Sequence, residues 1–226
     1  MSWLVSYVRS SVGAKQIMAV TGLGLLLFAI VHMAGHLGMF AGRDAYNTYA
    51  HTLQSLGALK WAARAGLVGI LAVHVIMAIA LTRANGAARP QKYAVFHTRK
   101  TTFFARTMTM TGLVILAFVV YHLAHFTLGW VQPAHFHTVD GQGRYDAYTM
   151  FVMGFRNVPI LISYLVAVTL LSFHLTHGAS SWLQSLGWRH PKYDPALDKL
   201  GPLLGLGLAL GYAAPPLAVL FRIIEL

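Results

Sequence analysis

Five apolar runs organise this chain, at about residues 17–40, 62–82, 107–130, 157–180 and 201–223. A helix needs about 20 residues to cross a hydrocarbon core of about 30 Å, and each run is long enough. The connections between them are short and polar, with no room for a separate soluble domain. The pattern predicts a single all-α integral membrane domain over residues 1–226, with five transmembrane helices. A weaker signal follows the first run. In GRDAYNTYAHTLQSLG, the residues Tyr46, Tyr49, Leu53 and Leu56 recur at helical spacing, so this stretch is expected to lie as an amphipathic helix at the membrane surface. The fifth run is glycine-rich, which permits close helix packing, and Pro215-Pro216 is expected to kink it. The first sixteen residues have no apolar core of their own and no small-residue cleavage site, so the run after them reads as a retained span.

Composition agrees with the pattern. The chain is 57% hydrophobic and 10% charged, against about 25% charged in a typical soluble domain. It has no cysteine, which excludes disulfides, thiolate zinc sites, iron–sulphur clusters and thiolate nucleophiles. Its six acidic residues all fall outside the apolar runs, which argues against a carboxylate proton relay. The net charge of +11 reads as membrane topology and not as a nucleic-acid surface, because basic residues collect on the cytoplasmic side. Arg9 and Lys15 precede the first run, and Arg83, Arg89, Lys92, Arg99, Lys100 and Arg106 crowd the second loop. Arg189, Lys192 and Lys199 occupy the fourth loop. This bias predicts the N-terminus inside and the C-terminus outside. Lys60 and Arg64, at the outer end of the second run, are the weakest point of that assignment.

Ionisable groups within spans are costly and point to function. Four of the five runs carry a deep histidine: His32, His74, His122 and His174. His36, His125 and His177 stand three or four residues beyond three of them. With a rise of 1.5 Å per residue, the four sort into two level pairs. His32 and His122 lie toward the outside and His74 and His174 toward the inside, about 10 Å apart along the membrane normal. Two imidazoles facing each other across a bundle, with no thiolate or carboxylate nearby, suit a haem iron. Filling both axial positions favours electron transfer over oxygen chemistry. Zinc would want three or four protein ligands. Gly35, Gly112 and Gly178 would leave room for a porphyrin edge, or serve helix packing. Periodicity does not choose within each histidine pair, since positions three or four apart differ by only about 60° or 40° around a helix.

The stretches FAIVHMAGHLGMFAGRDAYNTYAH, GLVGILAVH, TGLVILAFVVYHLAHF and FHLTHGASSWLQSLGW occur in this order, each with a deep histidine. Together they resemble the membrane subunit of succinate:quinone oxidoreductases, the five-span, di-haem cytochrome b type of b558-like succinate dehydrogenases and related fumarate reductases. The resemblance covers most of the chain. It implies two haem b groups in a bundle of the first four helices, with His32, His74, His122 and His174 as axial metal ligands. His36, His125 and His177 then become cofactor-binding neighbours, donating to propionates or bonding the backbone. Lys15, Gln16 and Arg83 are candidates to hold propionates on the inner side, because charged groups need donors where lipid ends.

The resemblance also implies flavoprotein and iron–sulphur partner subunits, membrane lipid and a quinone, menaquinone in the di-haem type. It implies a multi-pass location in a bacterial cytoplasmic membrane, as part of respiratory complex II and the tricarboxylic acid cycle, in a complex able to form a higher oligomer. The chain has no flavin or cluster motif, so it would carry electrons without oxidising succinate itself. Two departures stand out. Some fumarate reductases of this type have a glutamate two residues before the fourth ligand, used in transmembrane proton transfer; here that residue is Ser172. Family members have an acidic residue where Gln54 stands. An amide cannot relay a proton, so His51, whose imidazole can both give and take one, becomes the expected proton handler at an outer quinone site beside Gln54. Two rival readings are a di-haem anchor of another quinone-linked enzyme, of nitrate reductase or hydrogenase type, and a haem-free transporter with a histidine relay.

Overall fold

The computed structural model describes residues 2–88, 91 and 101–226. Five helices are long and apolar enough to cross a membrane, as in a multi-pass membrane protein. They are α2 (Ser11–Leu37), α4 (Ala58–Ala87), α5 (Phe103–Phe126), α7 (Val158–Ser185) and α8 (Asp194–Leu220). Three shorter helices accompany them: α1 (Trp3–Arg9), α3 (Arg43–Gln54) and α6 (Ala147–Arg156). No strand occurs among the described residues.

Local chemistry sets the helix ends. Ser10 caps α2 by accepting from Gly13 N at 3.0 Å, and Thr102 caps α5 through Ala105 N at 3.1 Å. Asn157 caps α7 through Ile160 N at 3.2 Å. Each supplies an acceptor to an N–H that has no partner within its helix. Several ends differ from those the hydropathy predicts. The third span stops at Phe126 and not near 130, because Gly129 adopts a left-handed φ of 69°. The amides of Leu128 and Trp130 then turn back onto the carbonyls of Leu123 and Ala124 at 2.9 and 2.8 Å. The fifth helix begins at Asp194, before the apolar run, because proline in its first turn is preorganised for helix. It continues unbroken through Pro202, Pro215 and Pro216. The expected amphipathic helix is α3, although only Tyr46 of its apolar stripe is buried. Neither α1 nor α6 is foreshadowed by the five-run pattern. Arg89, Lys92, Arg99 and Lys100 of the basic loop lie outside the described residues.

Helix α2 packs on α4, α7 and α8, and α5 packs on α7. The α7–α8 contact is the most extensive, and small residues make it possible. A side chain at Gly201 or Gly205 would run into the Thr176 carbonyl, or into the Thr176 hydroxyl and the Ser172 backbone. Close backbone approach of this kind supplies helix association in lipid, where the hydrophobic effect between spans is absent. Val31, Leu113, Val166 and Leu210 stay exposed on the flanks of the spans, as surfaces facing lipid do. The largest buried cluster sits at one end, where Phe151, Val152 and Phe155 of α6 meet Tyr46, Leu161, Tyr164 and Val219. Gly205→Val should therefore lower stability by about 1–3 kcal/mol, the usual cost of overpacking. Thermal unfolding in detergent checks this; Gly207→Ala, at a position whose added methyl meets nothing within 4 Å, serves as the neutral control.

Candidate functional site

Imidazoles from four different spans meet at two levels. At the level nearer α3 and α6, His32 of α2 faces His122 of α5, with ring centroids 5.8 Å apart and planes crossed at 86°. His36, one turn beyond His32, sets its Nε2 3.3 Å from the His32 Nε2 and its Nδ1 2.9 Å from the Tyr46 hydroxyl. Burial pushes the Tyr46 phenol above its ordinary pKa, so it stays protonated and can donate to that nitrogen. A cavity of about 180 Å³ opens here, lined by His32, His36, Tyr46, His122, Phe126, Thr127, Ala147, Met150 and Phe151. On the α5 side, His125 bonds the Tyr164 hydroxyl at 3.0 Å and the Gln132 side-chain oxygen at 3.0 Å. Tyr164 in turn lies 3.4 Å from His122 Nδ1.

At the other level, His74 of α4 sits against α2, its Nδ1 3.2 Å from the Thr21 hydroxyl. His174 of α7 sits against α5, its Nδ1 3.2 Å from the Thr111 hydroxyl. Thr21 precedes His32 by eleven residues, and Thr111 precedes His122 by eleven. The two levels are therefore about 16 Å apart along these helices, wider than the 10 Å read from the span limits. Gln16 accepts from Tyr7 and lines a second cavity of about 420 Å³ with Tyr7, Ile17, Val20, Thr21 and Leu186, next to the His74 level. Lys15 and Arg83 are exposed.

The structure thus brings His32 to His122 and sets His74 and His174 each against a threonine of a neighbouring span. It leaves His51 and Gln54 exposed on α3, away from the lining of the 180 Å³ cavity. The Gln54 side-chain oxygen accepts from Lys60 at 2.9 Å. Comparison with family models, curated proteins and solved structures finds no match for the chain.

A polar clamp closes the His32 level. Asn47, fully buried, donates to Asp140 at 3.2 Å and to Asp146 at 2.9 Å, and its own oxygen accepts from Tyr148 N at 2.9 Å. Arg43 pairs with Asp146, and Arg144 pairs with Asp140 and Asp44, both at 2.7 Å. These bonds tie α3 to the segment leading into α6, which holds Tyr46 over His36. They couple groups about a hundred residues apart, and nothing in local periodicity announces them. Thr21 and Thr111 did have a sequence signal. The pattern Met-x-x-Thr-Gly-Leu-x4-Phe-x3-His occurs at 18–32 and again at 108–122, an internal repeat that the hydropathy pattern conceals.

Burial alone would raise the Asp140 pKa, but hydrogen bonds from Arg144, Gln142 and Asn47 outweigh it and hold the carboxyl well below the usual carboxylate range. Asp146 is lowered too, with Arg43, Asn47 and Thr149 outweighing its burial. A carboxylate with a depressed folded pKa stabilises the fold above its unfolded value of about 3.9, and that stability is lost as pH falls through the folded value. The clamp should hold unchanged at neutral pH and weaken below about pH 4. Unfolding midpoints from pH 7 downward should show an acid-side decline that Asp140→Asn flattens.

Proposed function

We propose that the chain is the membrane anchor and di-haem b electron-transfer subunit of a succinate:quinone oxidoreductase. In this reading the N-terminus lies inside a bacterial cytoplasmic membrane, and the first four spans bundle around two haems. The observation that carries it is the opposed pair His32–His122. Their ring centroids are 5.8 Å apart, close enough that the two side chains would need little movement to share one metal ion. Three imidazoles, His32, His36 and His122, line that cavity and no carboxylate does, a donor set that suits haem iron. Phe126, Met150 and Phe151 offer the apolar walls that a porphyrin face needs. The cavity is smaller than a haem, so loading it requires these side chains to move aside.

When bound, haem supplies a one-electron carrier at each level. The chain's own contribution would be two imidazoles for each haem, His32 with His122 and His74 with His174, a ligation that suits electron transfer. At the His74 level, Lys15, Gln16 and Arg83 would give propionates their donors. Electrons would pass between an iron–sulphur subunit on the inner side and a quinone, menaquinone by resemblance, near α3. At that quinone, Gln54 keeps its amide N–H free to donate, since Lys60 occupies its oxygen, and His51 handles the proton. The flavoprotein subunit would carry the succinate chemistry. One observation favours the histidine-relay transporter instead: Gln132, His125, Tyr164 and His122 form a continuous hydrogen-bonded line.

A dithionite-reduced spectrum of the purified protein separates the two. The haem reading expects the visible bands of two six-coordinate b haems, one of which disappears in His74→Ala; a folded but colourless protein removes it. A di-haem anchor of another quinone-linked enzyme gives the same spectrum and differs in the catalytic subunits that co-purify. In the assembled complex, His51→Ala should lower quinone reduction about a hundredfold, the low end of the roughly 10²–10⁴ contributed by a positioned acid–base group, with both haems retained. Unchanged turnover in His51→Ala and in Gln54→Leu moves the quinone away from α3.

A further inference from the structure

We infer that Thr21 and Thr111 are matched positioning residues. Each holds the imidazole of the neighbouring span in the Nδ1–H form and so presents a bare Nε2 to the metal. The inference rests on the reading of His74 and His174 as axial donors, but its physical argument stands on the protein alone.

A threonine hydroxyl has one proton to give and lone pairs to receive. The Thr21 hydroxyl lies 2.8 Å from the Ile17 carbonyl and 3.1 Å from that of Met18. Thr111 repeats this with Thr107 at 3.0 Å and Met108 at 3.1 Å. Carbonyls only accept, so a hydroxyl seated against two of them gives its proton to the backbone, as threonines inside helices commonly do. What the hydroxyl turns toward the imidazole is a lone pair. The nitrogen 3.2 Å away must then be the donor, and in both cases it is Nδ1. A neutral imidazole with its proton on Nδ1 has its lone pair on Nε2, the form in which it ligates a metal through Nε2.

The adjoining glycines make the approach possible. A methyl group at Gly22 would lie 3.2 Å from His74 Cε1, and one at Gly112 would lie 3.4 Å from His174 Cε1. Thr-Gly is thus a two-residue device, acceptor and clearance together, used once on each of two helices. The His122 tautomer follows from a longer chain of the same logic. The Gln132 oxygen accepts from His125 Nε2, leaving Nδ1 to accept from Tyr164, whose oxygen then accepts from His122 Nδ1.

The test reads the tautomer directly in haem-free protein. Chain labelled with 15N-histidine in detergent gives long-range proton–nitrogen spectra in which Nδ1–H and Nε2–H rings have distinct patterns. Wild type should show His74 and His174 as Nδ1–H. Thr21→Val should shift the His74 tautomer ratio about fivefold toward Nε2–H, the effect of losing about one hydrogen bond. Thr111→Val should do the same to His174 alone, and Thr21→Ser should restore the wild-type pattern. An Nε2–H ring at His74 in wild type overturns the inference, as does a ratio that Thr21→Val leaves unchanged while Thr21→Ser confirms a folded chain. Added haem gives a separate reading. Thr21→Val should shift the midpoint potential of one haem and leave the other in place. A chain that takes up no haem defeats the proposed function, while the nitrogen spectra still decide the tautomer.

Discussion

An imidazole inside a membrane span has no water to turn to, so the protein must supply its hydrogen-bond partners, and much of the arrangement of this chain follows from that demand. An imidazole has one donor and one acceptor, and an unpaired one in a medium without water costs several kcal/mol. Hence four of the span histidines stand beside a hydroxyl on a different element. His74 has Thr21, His174 has Thr111, His36 has Tyr46 and His125 has Tyr164. These pairs connect α4 to α2, α7 to α5, α3 to α2 and α7 to α5. The packing of the spans and the satisfaction of the imidazoles are therefore one problem with one solution, and removing a hydroxyl both orphans a ring and loosens a helix contact.

The clamp between α3 and the α6 approach extends the same constraint to the protein's end. Tyr46 can serve His36 only if α3 is held down over α2, and α3 is short and largely exposed. Its own burial is too small to fix it. Asn47 supplies what is missing, by sharing two carboxylates with Arg43 and Arg144 and by accepting from Tyr148 N. Buried ion pairs are usually poor sources of stability because desolvation offsets attraction. Here the pairs carry extra hydrogen bonds on nearly every oxygen, which is the condition under which such a group specifies one geometry.

The helices that cross were legible from hydropathy alone, because a 20-residue apolar run has few alternatives in water or lipid. Their ends were less so. The third span was carried on to about residue 130 because Leu128 and Trp130 are apolar, whereas Gly129 and its returning amides end it. Helix α6 was invisible for a related reason: AYTMFVMGFR is too short to span and reads as loop beside a longer run, yet its aromatic residues make the largest buried cluster. Of the candidate site, the four deep histidines were readable as such, and the structure brings His32 and His122 together. Their hydrogen-bond partners were not readable, since a threonine or tyrosine in an apolar run looks like ordinary composition until the facing helix is known. Tyr46 was read as part of an apolar stripe, and its hydroxyl, which meets His36, is what matters.

The repeat at 18–32 and 108–122 explains why the two levels come out even. In both helices eleven residues separate the threonine that serves the neighbour's histidine from the helix's own histidine. Once His32 and His122 meet, Thr21 and Thr111 are at equal distance down their helices. The rings they hold, His74 and His174, must then fall at one height. Levelness is thus built into two identical spacings and requires no fine adjustment of α4 or α7, whose own sequences share little around their histidines. The halves differ in the elements that follow the repeat. After α2 comes the polar, exposed α3, and after α5 comes the apolar, buried α6. The shared part sets where the imidazoles stand, and the divergent part decides which end of the protein is sealed by packing and which face of it meets water.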